Sequence, residues 1–390
     1  MFRLHAPSYS EARGRFLCTE QRKVLRAVVQ CRTAALGGHI DECDQCHHRQ
    51  YGYNSCRNRH CPKCQSLARA RWLQKRKSEL LPVEYFHVVF TVPATIAAIA
   101  LHNQRVVYNI LFDSVSQTLK QIAADPRHLG ARIGYLAVLH TWGQNLSHHP
   151  HIHCVVPGGG LSLDGSRWVS TRKGFFLPVR VLSRLFRGIF LHSLQKAFAE
   201  GALDFCGGQE HLAEEQAFSS WIAKHWGTDW VVYSKRPFAG PEQVLEYLGR
   251  YTHRVAISNQ RLLKVSDTEV IFRWKDYRRG HRYRTMTLHP HEFIRRYLQH
   301  VLPSGFVRIR HGGFLANIHR SAKLARCREL LQVPPPVVAP LDELALYEQL
   351  TGRPGDLCPA CNLGRLVRVA ELPSQLLPLS WLRFVRLDSS

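Results

Sequence analysis

The sequence predicts an α+β protein with one central, mainly antiparallel sheet flanked by helices, preceded by a small cysteine-rich module. Two observations carry this prediction. From residue 83 onward, strand-like and helix-like segments alternate, and short turns join strands in a way that favours antiparallel pairing. Before that point, Cys-x-x-Cys pairs and a basic segment replace the strand pattern, which is typical of a small module stabilised by a metal ion.

The first half of the chain contains the clearest strand and helix patterns. The basic stretch QSLARARWLQKRKSELL predicts a helix that Pro82 ends. Residues 83–93 predict a strand, because apolar and polar residues alternate and then run apolar. We expect a long amphipathic helix over roughly 94–124, then strands at 134–142 and 151–159 that the NLSHHP turn would pair antiparallel.

The second half predicts the remaining elements by the same patterns. In chain order they are one or two helices at 177–203, a strand at 228–235, a helix at 240–254, three strands at 255–265, 269–277 and 282–289, and a helix that begins at His289. We expect the strands to join one open sheet. The segment QVPPPVVAPLDE then predicts a proline linker to a short tail. The predicted units are therefore residues 1–80, 81–330 and 331–390.

The charge balance indicates a polyanionic partner. The chain has 53 Lys and Arg against 29 Asp and Glu, a net charge of +24 at pH 7. Such a surface attracts nucleic acid first and anionic membranes second. The start, MFRLHAPSYSEARGRF, lacks the apolar core of a signal peptide, and the most apolar window, 81–101, contains Glu84, His87 and Pro93. We therefore expect a cytoplasmic protein, not a membrane protein, in which the twelve cysteines are reduced.

Two Cys-x-x-Cys pairs predict a zinc site in the first module. Cys43 and Cys46 are separated by fourteen residues from Cys61 and Cys64. Each pair forms a tight turn that can direct two thiolates at one ion, so the spacing predicts a structural Zn²⁺ held by all four. Cys56 and His60 are further soft ligands. They could replace one of the four, build a second site, or be ordinary buried side chains.

A second CPAC sequence, at 358–361, is half of such a site, and the sequence shows no second pair for it. Its role is left open.

The stretch HTWGQNLSHHPHIHCVVPGGG places five histidines within fourteen positions. Because a strand has a period of two residues, His151 and His153 would share one face of the sheet. Two such imidazoles supply two of the three protein ligands that a divalent ion needs in a reactive site. We predict Gln144 as the third, since an antiparallel neighbour could return it to the same face, with His149 and His140 as alternatives. An amide oxygen beside two imidazoles favours Mg²⁺ or Mn²⁺.

Tyr247 and Tyr251 are four residues apart in the segment YLGRYTHR. Residues at this spacing share one face of a helix, so both phenols could approach one point. Core packing is the usual reason for such a pair, but the residues between these two are poor core material. Arg250 and Arg254 make the surroundings cationic, which lowers the cost of the phenolate that a tyrosine nucleophile requires.

Four segments together carry a family resemblance: SCRNRHCPKCQ, FHVVFTVP, HTWGQNLSHHPHIHCVVPGGGLS and YLGRYTHRVAISN. They resemble the insertion-sequence 91 family of rolling-circle transposases, two-tyrosine members of the HUH endonuclease superfamily, over roughly residues 15–330. The resemblance implies an HUH-endonuclease fold for residues 81–330, with His151 and His153 as metal ligands around Ile152. It also implies that Tyr247 and Tyr251 are the nucleophiles and that the four cysteines hold zinc in an N-terminal DNA-binding domain.

The resemblance further implies the partners and the reaction. Such a bacterial, nucleoid-associated enzyme would nick and rejoin single-stranded DNA through 5′-phosphotyrosine intermediates, aided by Mg²⁺ or Mn²⁺, and would bind transposon-end hairpins. Trp274, Tyr277 and Tyr283 are available for base stacking. The basic residues expected to contact DNA are Arg57, Arg59, Arg69, Arg71, Arg250, Arg254, Arg273 and Lys275.

Three alternatives compete with this interpretation. An HUH replication initiator or relaxase would use the same chemistry. A non-catalytic zinc-ribbon DNA-binding regulator would account for the charge and the cysteines, although not for the histidine and tyrosine pairs. A hydrolytic zinc enzyme would need a nearby carboxylate base, and Asp164 is the only acidic residue between Asp125 and Glu200.

Overall fold

Three β-sheets organise the part of the chain that the computed structural model describes, which comprises residues 1–235, 243, 244, 249, 256–276, 280, 282–335 and 342–375. One sheet has seven strands and the other two have three each. The strand pairs that the structure records are antiparallel. The predicted α+β class with a mainly antiparallel central sheet is therefore confirmed.

The helices and strands follow one another along the whole described chain. The helices are α1 (Phe2–Arg13), α2 (Thr19–Gln30), α3 (Gln65–Lys77), α4 (Ala94–His102), α5 (Gln104–Ala124), α6 (Val179–Ala199), α7 (Glu215–Trp226), α8 (Pro290–Leu298), α9 (Arg320–Leu330) and α10 (Glu343–Thr351). The strands are β1 (Gly38–Cys43), β2 (Arg49–Tyr53), β3 (Tyr85–Thr91), β4 (Ala131–Trp142), β5 (His148–Pro157), β6 (Gly159–Ser162), β7 (Trp168–Ser170), β8 (Val232–Lys235), β9 (Leu262–Val265), β10 (Val270–Asp276), β11 (Arg282–Leu288), β12 (Ile309–Gly313) and β13 (Leu366–Leu372). Among the described residues, no helix is both long and apolar enough to cross a bilayer.

The seven-stranded sheet has two different faces. Its strand order is β7-β6-β4-β5-β3-β8, and β12 also pairs with β4. Because side chains alternate along a strand, Phe86, Val88 and Phe90 of β3 point to one face, where they pack in the main hydrophobic core with residues of α4, α5 and α6. Tyr85 points to the other face, together with Leu136 and its neighbours. That second face bears the histidines discussed below.

The predicted helix over 94–124 is divided in two at Asn103. This residue is buried, and its side-chain amide donates to the carbonyl of Asp204 at 2.7 Å and accepts from the Asp204 amide at 2.7 Å. The amphipathic pattern continues through Asn103, which is why the sequence predicts a single helix. The contact with the distant residue 204 fixes the break, and no local pattern reveals it.

The prediction of one open sheet is wrong, because β9, β10 and β11 form a sheet of their own. Val270 and Phe272 on β10 turn inward against Phe293 and Tyr297 of α8 and against residues of α1 and α2. The two N-terminal helices, which the sequence patterns did not predict, thus share a hydrophobic core with residues 256–301. Most of the helix predicted over 240–254 lies outside the described residues.

Gly313 allows β12 and β4 to approach closely, and we expect Gly313→Ala to destabilise the protein strongly. Its φ is +61°, and a Cβ there would lie 1.7 Å from the Ile133 carbonyl oxygen. Gly201 has a similar φ of +66°, but a Cβ there would have no heavy atom within 4 Å. Gly201→Ala should cost about 1 kcal/mol from backbone strain alone, and Gly313→Ala on the order of 3 kcal/mol. Chemical unfolding of both variants measures the difference, and equal losses would contradict the proposed backbone clash.

Candidate metal sites and nucleic-acid interface

Three histidines converge on one face of the seven-stranded sheet. His140 on β4 is the register partner of His151 on β5, and His153 is the partner of Val138, so the three side chains share a face. The ring centroids of His140 and His153 are 4.2 Å apart, those of His151 and His153 4.8 Å, and those of His140 and His151 5.4 Å. One ring nitrogen of each lies within 4.8 Å of the others. This arrangement can hold a divalent ion.

Hydrogen bonds orient two of these imidazoles. His151 Nδ1 lies 2.6 Å from the carbonyl oxygen of His149, to which its N–H donates. His153 Nδ1 lies 2.8 Å from Nε2 of the buried His87. With Nδ1 engaged in each ring, Nε2 is the nitrogen that would bind an ion, an arrangement common among metal-binding histidines. Burial lowers the pKa of His151 to about 4, so its ring is neutral at pH 7. The residues present therefore fit a metal ion.

The structure places His140, one of the two predicted alternatives, beside the His151 and His153 pair. Gln144 lies beyond the end of β4, in the turn before β5, where its main-chain carbonyl accepts a hydrogen bond from Arg261. The register shifts between His140 and Trp142, and β4 ends at Trp142, two residues before Gln144. The ring of His149 is 5.2 Å from that of His151 but does not belong to the three-histidine group.

One described residue of segment 243–249, Val244, lies on the same face as the histidines. Val244 is fully buried and packs with Tyr85, Leu136, Val138 and Val155 on that face. A Cβ at Gly249 would lie 2.6 Å from Leu73 Cδ1 and 3.1 Å from Arg69 Nε, so Gly249 lies against α3. The predicted site residues Tyr247, Tyr251, Arg250 and Arg254 lie outside the described residues.

The basic helix α3 borders this face. Its Trp72 packs against the same cluster as Val244. Arg69 and Arg71 on α3 are exposed, as is Arg57 in the loop before it. Three of the arginines predicted to contact DNA therefore lie on the surface on or just before α3.

Arg59 has a different position from the other predicted DNA contacts. It is half-buried, and its guanidinium donates to the carbonyl oxygens of Phe306 at 2.5 Å and Pro303 at 2.9 Å. Burial lowers its pKa. These contacts give Arg59 a structural role, because they tie the cysteine-rich segment to the loop after α8.

The sheet β9–β11 presents a basic and aromatic surface. Tyr283 is 67% exposed, with the Arg273 guanidinium 5.2 Å and the Lys275 ammonium 5.7 Å from its ring centroid. Trp274 points to the opposite side and packs against the hydrophobic core of α1, α2 and α8, so it is not placed for base stacking. Tyr277 lies outside the described residues.

The structure corrects the predicted pairing of the four cysteines, which do not share one ion. Cys61 and Cys64 lie with Cys31 and Cys56, and the four sulfurs are within 4.8 Å of one another. The Sγ atoms of Cys31 and Cys64 are 3.3 Å apart, and those of Cys56 and Cys64 3.5 Å. In tetrahedral zinc sites, Zn–S bonds of about 2.3 Å separate the sulfurs by about 3.8 Å, so this set fits zinc with a small adjustment.

Cys43 and Cys46 lie instead with Cys358 and Cys361. The physical reason is that Cys43 ends β1 and the hairpin to β2 carries the chain away before Cys61. Cys31, which belongs to no Cys-x-x-Cys pair, gave no spacing signal. The sequence could have suggested two zinc sites only through the number of its cysteines, because the eight that form the two groups are enough for two ions with four ligands each.

Of the two additional candidate ligands, Cys56 joins a cysteine group and His60 does not. His60 is 3% exposed, and burial, reinforced by Arg59 and Arg308, lowers its pKa to about 3. Its Nε2 accepts from the amide of Leu302 at 3.4 Å, and its carbonyl accepts from the Tyr297 hydroxyl. His60 therefore packs the module against α8.

The described chain thus has two cysteine groups that could each hold a metal ion and a separate group of three histidines that could hold another. Comparison with known proteins adds the family. Residues 1–92 match the family described as "Transposase zinc-binding domain", and residues 134–323 match the one described as "Putative transposase".

Two relatives cover most of this chain. "Putative transposase y4qJ" of Sinorhizobium fredii is 58% identical over 95% of this chain and 94% of its own length. The "Transposase for insertion sequence element IS801" of Pseudomonas savastanoi pv. phaseolicola is 26% identical over 80% of this chain and 74% of its own. The chain belongs to the insertion-sequence 91 family of transposases, as its motifs predicted, and is an enzyme that acts on DNA.

A solved structure of the conjugative relaxase TrwC with oriT DNA, in its metal-bound form, aligns at 16% identity with a TM-score of 0.25. It covers 45% of this chain and 66% of the relaxase chain. A likeness of that size adds no argument about the site.

Proposed function

We propose that this transposase nicks and rejoins single-stranded DNA through 5′-phosphotyrosine intermediates, in the rolling-circle transposition of an insertion sequence. The observation that carries the proposal is the convergence of His140, His151 and His153 on one sheet face. The hydrogen bonds at the two Nδ1 atoms support Nε2 of His151 and Nε2 of His153 as the proposed ligand atoms. A divalent cation held by these residues would act as a Lewis acid toward the scissile phosphate.

In the proposed reaction, the nucleophile is Tyr247 or Tyr251. The phenol gives up its proton, and its Oη forms a bond to phosphorus while the bond from phosphorus to the 3′ oxygen breaks. The 3′ oxygen takes up a proton and leaves as a hydroxyl, and the 5′ end stays attached to the protein. The reverse reaction rejoins a strand without ATP because one phosphodiester replaces another. Two tyrosines allow one to hold the donor end while the other cuts the target.

The position of the neighbouring residues supports this assignment. Val244 is buried on the histidine face, and Tyr247 follows it by three residues. Three residues span at most about 11 Å. Gly249, which lies between the two tyrosines in sequence, contacts α3 at the border of the same face. The short distance in sequence between these residues and the tyrosines supports the choice of Tyr247 and Tyr251 as the nucleophiles.

Two basic surfaces are proposed to bind the DNA. Exposed Arg57, Arg69 and Arg71 would contact phosphates on the side of α3, and Arg250 and Arg254 would extend this set. On the β9–β11 sheet, Arg273 and Lys275 flank Tyr283, which would stack on a base. We propose that the cysteine-rich module holds a hairpin at the transposon end.

The donor set favours Mn²⁺ over Mg²⁺ in the proposed site. Mg²⁺ prefers oxygen ligands and demands near-ideal octahedral geometry, whereas Mn²⁺, a transition-metal ion, accepts imidazole nitrogen more readily. Replacing the predicted amide of Gln144 with the imidazole of His140 moves the preference further toward Mn²⁺.

Two of the alternatives, the hydrolytic zinc enzyme and the non-catalytic regulator, lack support in the described residues. For a hydrolytic zinc enzyme, Asp164 is the nearest acidic residue in sequence, but it accepts hydrogen bonds from the hydroxyls of Ser162 at 2.5 Å and Ser166 at 2.8 Å inside the β6–β7 turn. No carboxylate of the described chain belongs to the histidine group. A non-catalytic regulator leaves the three clustered histidines without a role.

The test is incubation of the protein with single-stranded DNA that contains the element's end, labelled at either terminus, in Mn²⁺. We expect a covalent adduct, resistant to denaturation, that carries the label on the 3′ side of the nick, and we expect EDTA to prevent it. His151→Ala should reduce adduct formation at least about a hundredfold, whereas His192→Ala, at an exposed histidine of α6, should not change it. Cleaved DNA without an adduct would refute the proposal in favour of hydrolysis.

A further inference from the structure

The second cysteine group joins the two ends of the chain. Cys43 ends β1 and Cys46 lies in the turn after it, and Cys358 and Cys361 come from the segment before β13. The paired sulfurs, Cys43 with Cys361 and Cys46 with Cys358, are each 3.7 Å apart, although the residues are 318 and 312 positions apart in sequence. The zinc-binding family match ends at residue 92 and includes neither Cys358 nor Cys361.

The geometry points to a second structural zinc ion, bound jointly by Cys43, Cys46, Cys358 and Cys361, that fastens the C-terminal segment to the N-terminal module. Separations of 3.7 Å match the spacing of about 3.8 Å expected for four thiolates around zinc. A disulfide requires about 2.05 Å between two sulfurs, so forming two of them would pull each pair together by more than about 1 Å.

Both halves of the group have the form of a metal-binding turn. The amides of Gln45 and Cys46 donate to Cys43 Sγ at 3.4 and 3.5 Å, and the amide of Gly364 donates to Cys361 Sγ at 3.4 Å. A Cβ at Gly364 would lie 2.5 Å from Cys43 Sγ, so glycine allows the two turns to meet. Such N–H donors stabilise thiolates, the form in which cysteine binds zinc.

The surrounding contacts continue the same association. β13 pairs antiparallel with β1 from Gly38 with Leu372 to Cys43 with Leu366, and the sheet order is β13-β1-β2. The amide of Arg365 donates to the Asp44 carboxylate at 2.8 Å. The C-terminal strand is therefore an edge strand of the N-terminal module.

This small sheet has too little apolar burial to hold the tail by packing alone. Val367 and Val369 on β13 are each 54% exposed, and Leu363 is 82% exposed. Cys43 and Cys358, by contrast, are 1% and 0% exposed. Small modules with such weak cores are usually held by metal ions or disulfides, and a metal ion contributes its binding energy to folding. The buried thiols are thus the centre of the association, which explains the CPAC sequence.

The test is the zinc content of the full-length protein purified under reducing conditions, measured by plasma mass spectrometry. We expect Cys358→Ser/Cys361→Ser to lose one zinc per chain relative to wild type, and Cys18→Ser/Cys206→Ser, at two exposed cysteines outside both groups, to lose none. The readout is the difference in zinc content between each variant and wild type, so any zinc bound by the histidines contributes equally to both and does not affect the result. An unchanged zinc content in the first variant would overturn the inference.

A second measurement requires no variant. X-ray absorption at the zinc edge of the wild-type protein, with Mn²⁺ in excess to occupy the histidines, should show four sulfur neighbours per zinc at about 2.3 Å and two such zinc ions per chain. One zinc per chain, or a mass that reveals disulfides within the group, would refute a second zinc ion. Neither result would affect the proposed DNA chemistry, which does not use these cysteines.

Discussion

Replacement of both Tyr247 and Tyr251 by phenylalanine should abolish the covalent adduct between this protein and single-stranded DNA. Phenylalanine keeps the ring and removes only the hydroxyl, so the variant loses the atom that would attack phosphorus. Removal of a nucleophile from other covalent enzymes lowers the rate by about 10⁶-fold. We expect adduct formation to fall below detection, while binding of the same DNA, measured by fluorescence anisotropy, stays within about twofold of wild type because the charges are retained.

The single variants separate the roles of the two tyrosines. If each phenol carries one strand transfer, Tyr247→Phe and Tyr251→Phe should each retain one cleavage and lose the coupled transfer that joins donor to target. Tyr51→Phe, at a phenol that is 58% exposed on β2, is the matched control and should leave both steps intact. A double variant that still forms the adduct would exclude these tyrosines as the nucleophiles.

The elements with strong local patterns were predictable from the sequence. The His151 and His153 strand, its antiparallel pairing with the preceding strand and the basic helix that begins at Gln65 follow from alternation, turn composition and helical periodicity, although that helix ends at Lys77 and not at Pro82. The site pair was predictable for the same reason, since two histidines at a spacing of two on a strand must share a face.

Features that depend on distant contacts were not predictable in this way. The break at Asn103 is set by residue 204, and the pairing of Cys43 and Cys46 is set by a segment more than 300 residues later. The separate β9–β11 sheet depends on two N-terminal helices that cover its apolar face. In each case the local sequence is compatible with both arrangements, and the partner that decides between them comes from elsewhere in the chain.

The third ligand shows this limit within the site itself. Gln144 was predicted because a neighbouring strand could return it to the histidine face. The register of β4 and β5, however, pairs His140 with His151 and leaves Gln144 in the turn. His87 was not predicted at all, because its 2.8 Å contact with His153 crosses from β3 to β5 and no spacing along one strand reveals it.

The geometry leads to a clear contrast between His140 and Gln144 as metal ligands. We expect His140→Ala to weaken Mn²⁺ binding at least about a hundredfold, because it removes a ring whose centroid is 4.2 Å from that of His153. Gln144→Ala should change the affinity less than about threefold, since the contact of residue 144 with Arg261 uses its main-chain carbonyl, which the substitution keeps. Titration of Mn²⁺ into the metal-free protein, followed by calorimetry or by the paramagnetic resonance of unbound Mn²⁺, measures both affinities.

His140→Gln shows whether the position or the imidazole matters. An amide at residue 140 would recreate the donor set of two imidazoles and one oxygen that the sequence first suggested, on the strand where the structure places the third ligand. We expect His140→Gln to form more adduct than His140→Ala does. Because oxygen donors suit Mg²⁺ better than imidazole does, the ratio of adduct formed in Mg²⁺ to adduct formed in Mn²⁺ should be higher for His140→Gln than for wild type. If Gln144→Ala instead abolished Mn²⁺ binding while His140→Ala retained it, the third ligand would be the glutamine, and the turn after β4 would have to rearrange when the ion binds.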